Sequence, residues 1–279
     1  MNVFKIKDTN FVHNKQSGTT SPFHSSEHIT WLRSIDNTDV IFFTDNCLHM
    51  VDTVDTSYFR VAWIIEPRSI LPHGYSFVKD NHHKFNIILS HNIDLVNSLP
   101  NCIYCPFGTS WIPLEHWKEY EKTKLVSMIA SNKLLTIGHR LRHRIINKFS
   151  QTIDIFGSGV QKPIEFKTEG LKDYCFSIAI ENCRINDYFS EKLIDCFATY
   201  TVPIYWGFSN IDKYFNSNGI ITFNKFDDLD KILSSLSEDR YKEMLPVIKE
   251  NYDTAKEYKC PEDYIGKNIL PDILHLQEN

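Results

Sequence analysis

Nowhere in the 279 residues is there an apolar run long enough to span a bilayer or to serve as a secretory leader. The opening stretch is broken by Lys5, Lys7 and Asp8. A membrane span and a signal peptide are therefore not expected, and the chain reads as soluble. Basic charge is not in excess either: 30 Lys and Arg stand against 35 Asp and Glu, a net charge of −5 that argues against a general nucleic-acid or anionic-membrane binder. The seven cysteines are odd in number and scattered, which suits reduced thiols in a cytoplasmic setting rather than a disulfide framework. Cys102-x-x-Cys105 has no second pair after it, so a structural zinc site would lack half of its four ligands. Internal repeats and low-complexity tracts are absent.

What is present is a hydrophobic fraction of 42% in a chain longer than the usual single domain, enough for two α/β domains with real cores. Short apolar runs at residues 3–6, 40–43, 59–65, 85–89 and 102–105 read as strands of a first block, with a helix expected over 26–34. Residues 114–123 turn charged and aromatic, which places the domain connection between 118 and 119. The second block, 119–279, has strand runs at 125–130, 153–157, 176–180, 202–207 and 219–223. Helices are expected at 137–149, 229–258 and beyond Pro261. Strands interleaved with helices indicate parallel sheets.

The richest segment runs from residue 173 to 207. An apolar strand ends in Glu181-Asn182, Ser190 is placed to cap a helix whose apolar face carries Leu193, Ile194, Cys196 and Phe197, and a further strand begins at Val202. This is a βαβ unit, whose ligand site lies where strands end and helices begin. Lys192 falls in the first helical turn, where the helix dipole favours an anion over a cation. A bound anion resolves that conflict: a diphosphate on the helix-start amides, neutralised by Lys192, with Glu191 accepting hydrogen bonds from ribose hydroxyls.

The residues Ile180-Glu181-Asn182, then Asp187-Tyr188-Phe189-Ser190-Glu191-Lys192, then Val202-Pro203-Ile204-Tyr205-Trp206-Gly207 resemble the signature of the α-1,3/4-fucosyltransferases, glycosyltransferase family 10. That family carries a Phe-Glu-Asn, a Tyr-x-Thr-Glu-Lys and a Val/Ile-Pro-x-x-x-Gly at closely matching separations; here Ile180 replaces the Phe and Ser190 the Thr. The resemblance implies a GT-B fold, two Rossmann-like α/β domains facing each other across a cleft. It places the nucleotide-sugar site in the C-terminal half, with Glu181, Asn182, Tyr188, Glu191 and Lys192 on the donor. Animal enzymes of the family carry a membrane anchor and stem, so this chain resembles a bacterial or viral form that works in cytoplasm. By analogy, the last helix packs back on the N-terminal domain.

Two further residues complete the expectation. Glu66 follows the apolar run 59–65, and Pro67 forces the chain out of helical conformation, so Glu66 should lie at the carboxyl end of a central strand. The family's proposed general base occupies a comparable place, in a Gly-Glu-Asn context where this chain has Ile65-Glu66-Pro67. A strand-end carboxylate paired with Arg68 is the plainer reading. Ser131-Asn132 and the basic run Gly138-His139-Arg140-Leu141-Arg142-His143-Arg144 match a family segment whose Arg contacts the diphosphate, which points to Arg142 with Arg140 in reserve.

Together these parts describe inverting transfer of a sugar, fucose from GDP-fucose in the simplest case, to a hydroxyl of a glycan acceptor. One carboxylate suffices, whereas a glycosidase ordinarily needs two. Fixed cations take the place of a metal, and no cofactor is called for; Asp52-Thr53-Val54-Asp55 is not an Asp-x-Asp motif and reads as a surface loop. Another nucleotide sugar on the same fold, or a non-catalytic glycan- or nucleotide-binding module, remains open, and the acceptor is not legible. Trp31, Tyr75 and Trp111 could stack on sugar rings or belong to the core.

Overall fold

The computed structural model describes residues 2–9, 17–33 and 38–278 and divides into two compact α/β units. The first holds residues up to Phe107, Asn186–Tyr188 and the chain from Cys260 onward. Its strands are β1 (Asn2–Lys7), β2 (Ser17–Gly18), β3 (Ile29–Leu32), β4 (Val40–Thr44), β5 (Phe59–Ile64), β6 (Ile87–Ser90) and β7 (Cys102–Tyr104), with helix α1 (Pro72–Asn81) between β5 and β6 and α2 (Ile93–Ser98) between β6 and β7. They form one sheet in the order β2-β3-β1-β4-β5-β6-β7, parallel throughout except for β2 against β3. β4 is buried along its whole length because both sheet faces are covered, which is why it reads as a continuous apolar run. Alternate residues serve opposite faces. Phe42, Val61 and Trp63 join Phe4 and Trp31 on one side, while Ile41, Phe43, Ala62 and Ile64 pack with Leu48, Tyr75 and Val78 on the other.

The helix expected over 26–34 is instead strand β3. Ile29 and Trp31 alternate inward, and the Ser26 hydroxyl accepts the N–H groups of His28 and Ile29 in a local turn that leads into the strand. Ser34 lies outside the described residues. Cys102 and Cys105 are buried on opposite faces of the sheet, so they cannot share a metal; burial pushes the Cys102 thiol up to about 12.

The second unit holds residues 108–185 and 189–259. Its elements are β8 (Lys124–Ile129), α3 (Ile137–Phe149), β9 (Asp154–Phe156), β10 (Tyr174–Ile180), α4 (Glu191–Ala198), β11 (Val202–Trp206), β12 (Ile221–Thr222), α5 (Asp228–Ser234) and α6 (Glu238–Ala255). All five strands are parallel, in the order β12-β11-β10-β8-β9. The chain proceeds from β8 outward to β9, then crosses back to β10 and continues the other way. The direction of winding therefore reverses between β8 and β10, the place where open parallel sheets bind ligands. Residues 108–118 belong to this unit, so the division falls at 107/108 where the sequence suggested 118/119: Ser110 and the Trp111 amide bond Asp195 of α4, and the Trp117 indole bonds the Ile112 carbonyl.

The chain then returns to the first unit as α7 (Pro261–Asn268) and α8 (Leu270–Glu278); Ile265, Leu270 and Ile273 of these helices, with Ile269 between them, cover the Trp31 face of the sheet. Glu262 is fully buried there. Its carboxylate accepts the Thr20 N–H at 2.5 Å, the Thr20 hydroxyl at 3.2 Å and the Trp31 indole N–H at 2.7 Å.

Candidate functional site

In the second unit, the reversal point between β8 and β10 is bordered by the starts of α3 and α4. Helix α3 opens with Thr136 as its cap. The Thr136 hydroxyl accepts the His139 N–H at 3.2 Å, and His139 Nδ1 lies 3.2 Å from the Thr136 N–H and 2.8 Å from its hydroxyl, an arrangement that suits a neutral imidazole accepting at Nδ1. Burial first, then the nearby Arg142 and Lys192 charges, bring His139 down to about 4, which preserves that acceptor. Gly138 lets this helix end press against the residues after β10: its N–H bonds the Asn182 carbonyl at 3.2 Å, and a Cβ would lie 1.8 Å from the Glu181 carbonyl oxygen.

Arg142, one turn further along α3, is buried. Its Nε and Nη2 donate to the Ile180 carbonyl at 3.2 and 2.7 Å, and Nη2 also donates to Asn182 Oδ1 at 3.0 Å. The guanidinium thus grips the carboxyl end of β10, whereas Arg140 is exposed. Glu181 has no exposed surface. One oxygen accepts the Ser190 N–H at 2.9 Å, the other the Ser190 hydroxyl at 2.6 Å, and Lys192 Nζ lies 3.7 Å away. Glu181 therefore shapes the α4 cap from beneath and offers a ligand no edge of its own.

Helix α4 starts at that cap, with Glu191 and Lys192 half-buried at its first turn. The dipole conflict at Lys192 is eased by folding its ammonium back onto Ser190 Oγ at 3.1 Å and Glu191 Oε1 at 3.0 Å. Lys167, which no local pattern in the sequence marks, reaches the same Glu191 oxygen at 3.2 Å and Asp195 Oδ2 at 3.1 Å. Burial acts to raise Glu191, but Lys167 and Lys192 outweigh it and hold the carboxyl well below its ordinary range. Asp195, one turn beyond Glu191, is raised by its burial although Lys167 opposes this. Arg142, Glu181, Asn182, Glu191 and Lys192 are thus brought to one end of one sheet.

Glu66 and Tyr188 belong to the first unit. Glu66 is half-buried two residues past the end of β5, an interior strand, as its sequence context suggested; Arg68 is exposed. The turn there is held by Asp45, a buried residue with φ of 38° whose Oδ1 accepts the Ile65 and Glu66 N–H groups at 2.9 and 3.4 Å. Tyr188 is buried against His91, with ring centroids 4.6 Å apart. His91 follows β6, is fully buried, and neither ring nitrogen has a hydrogen-bond partner among the described residues; burial alone brings it down to about 4. Trp31 and Tyr75 are core residues, and Trp111 is 40% exposed. Asp52 pairs with Lys84 at 2.8 Å and Asp55 accepts the Ser57 N–H, so each carboxylate is taken up by its own neighbourhood. Among the described residues no helix is long and apolar enough to cross a membrane.

Comparison with known proteins agrees with this arrangement. The profile of the glycosyltransferase family 10 (fucosyltransferase) C-terminal domain matches residues 119–258, nearly the extent of the second unit. The α-(1,3)-fucosyltransferase FucT of Helicobacter pylori is 33% identical over 70 residues, which is 25% of this chain and 15% of that relative. A crystal structure of an α1,3-fucosyltransferase with GDP superposes with a TM-score of 0.60 at 17% identity, covering 99% of this chain and 90% of the other. One with GDP-fucose gives 0.58 at 19% identity, covering 90% and 81%. The fold is GT-B, built of two Rossmann-like α/β domains. With half of its length matched by the family profile, the chain belongs to glycosyltransferase family 10, the fucosyltransferases.

Proposed function

We propose that the protein is an inverting fucosyltransferase that moves fucose from GDP-fucose to a hydroxyl of a glycan acceptor. The observation that carries this reading is the convergence of Lys192, Glu191 and the starts of α3 and α4 on the winding reversal of the second unit. Lys192 exchanges its contacts with Ser190 and Glu191 for the diphosphate, the helix-start amides receive phosphate oxygens, and Glu191 accepts ribose hydroxyls. Arg142 keeps the Ile180–Asn182 backbone in position and adds fixed positive charge behind the phosphates. Glu66 acts as general base. It takes the acceptor proton as that oxygen bonds the anomeric carbon, while the bond to the diphosphate breaks on the opposite face and its electron pair leaves with GDP. No metal or other cofactor enters the scheme, since the side-chain cations and helix amides stabilise the leaving charge.

A thermal-shift panel of nucleoside diphosphates and their sugars, followed by transfer assays on an acceptor array, tests the reading. GDP and GDP-fucose should raise the unfolding midpoint, since a ligand at about 100 times its Kd adds about 2.7 kcal/mol. The product should carry inverted anomeric configuration. A response to uridine nucleotides with none to guanosine nucleotides would overturn the donor assignment. Binding without turnover on any acceptor would favour a non-catalytic module.

A further inference from the structure

We propose that Lys167 is a positioning residue: it holds the Glu191 carboxylate in place for ribose hydroxyls once Lys192 has turned to the diphosphate. The inference rests on the reading of Glu191 given above and adds a residue to it. Both ammonium groups share one Glu191 oxygen, Lys192 at 3.0 Å and Lys167 at 3.2 Å, which leaves the second oxygen for a ligand. Their other anchors differ. Lys192 rests on a hydroxyl, Ser190 Oγ, and reaches its second carboxylate, Glu181, only at 3.7 Å, so a polyanion can draw it away. Lys167 is fastened at 3.1 Å to Asp195, whose side chain is only 2% exposed and whose other oxygen is fixed by the Ser110 hydroxyl and the Trp111 N–H, both at 2.8 Å. Asp195 lies one helical turn after Glu191 on α4, so Lys167 braces two carboxylates of the same helix from the segment before β10. Once Lys192 leaves, Glu191 without Lys167 would be a half-buried carboxylate with no cation, free to change rotamer or take up a proton.

The test compares binding of GDP and 2′,3′-dideoxy-GDP by calorimetry on the full chain. Lys167→Met alone strands the Asp195 carboxylate and endangers folding, so it is combined with Asp195→Asn, which keeps an oxygen for Ser110 and Trp111. The wild-type protein should prefer GDP by about tenfold or more, as expected for a hydrogen bond to a charged group. In the double variant the preference should fall to about threefold or less, with dideoxy-GDP bound nearly as well as before. Lys167→Arg should restore most of the preference. A double variant that keeps the wild-type ratio, or that loses both nucleotides equally, overturns the positioning role. A wild-type protein indifferent to the ribose hydroxyls removes the Glu191 reading itself, and Lys167 falls with it.

Discussion

Replacing Gly138 with alanine inverts an ordinary expectation. In a helix interior that change stabilises by about 1 kcal/mol, because alanine restricts the unfolded backbone more than glycine does. Here the added methyl would lie 1.8 Å from the Glu181 carbonyl oxygen and 2.9 Å from its carbon, both backbone atoms that no rotamer change can move. Reaching even a 3.0 Å separation requires the start of α3 to retreat by about 1.2 Å. That retreat lengthens the Gly138 to Asn182 hydrogen bond and pulls the Arg142 fork off Ile180. Overpacking costs about 1–3 kcal/mol and each weakened hydrogen bond about 1 kcal/mol, so the balance is a loss on the order of 2 kcal/mol. Urea unfolding measures the stability term, and calorimetry with GDP should show weaker binding, since both helix starts border the proposed diphosphate position. A Gly138→Ala protein as stable as wild type with unchanged GDP affinity would refute the argument that close backbone approach, rather than helix propensity, decides this position.

Other outcomes follow from the same geometry. Lys192→Ala should weaken GDP binding by about 1.5–3 kcal/mol in calorimetry, the range for charged hydrogen bonds; unchanged affinity would remove the phosphate assignment. Glu66→Gln should leave GDP affinity nearly intact while lowering the transfer rate by about 10² or more, and full activity would place the base elsewhere. His91 ionises near 4 in the folded protein against 6.5 ordinarily, so the unfolded chain takes up this proton first as pH falls. Its stabilisation is complete above 6.5 and is lost toward 4, by on the order of 3 kcal/mol. His91→Phe, which keeps a ring against Tyr188, should flatten that acid limb in urea titrations at stepped pH. Transfer should persist in excess EDTA on metal-stripped protein, and activity that requires one added ion would return attention to Asp52 and Asp55.

The strands were legible where both sheet faces are covered, because β4, β10 and β11 are buried along their whole length and appear as apolar runs with few interruptions, and β5 is broken only by Arg60. The β3 strand was not, since its apolar run of Ile29, Trp31 and Leu32 is too short to fix a period and its partner Glu262 on α7 is distant in the chain. The first turn of α4 could be read from Ser190-Glu191-Lys192, a local cap pattern that follows a strand. Lys167 and Asp195 could not, because their pairing joins residues 28 apart by a contact that no periodicity encodes. Glu181 was legible as important, yet its burial beneath Ser190 depends on the tertiary packing of β10, β11 and α4.

The Glu262 carboxylate carries a consequence for the order of synthesis. Strand β3 and helix α7 are separated along the chain by the whole second unit, yet the Trp31 indole and the Thr20 amide both donate to Glu262 of α7. During synthesis the Trp31 face therefore lacks its α7 and α8 cover until the second unit has been made. A chain truncated after Tyr258 should keep that face of the first sheet uncovered, and limited proteolysis should cut its first unit faster than that of the full sequence.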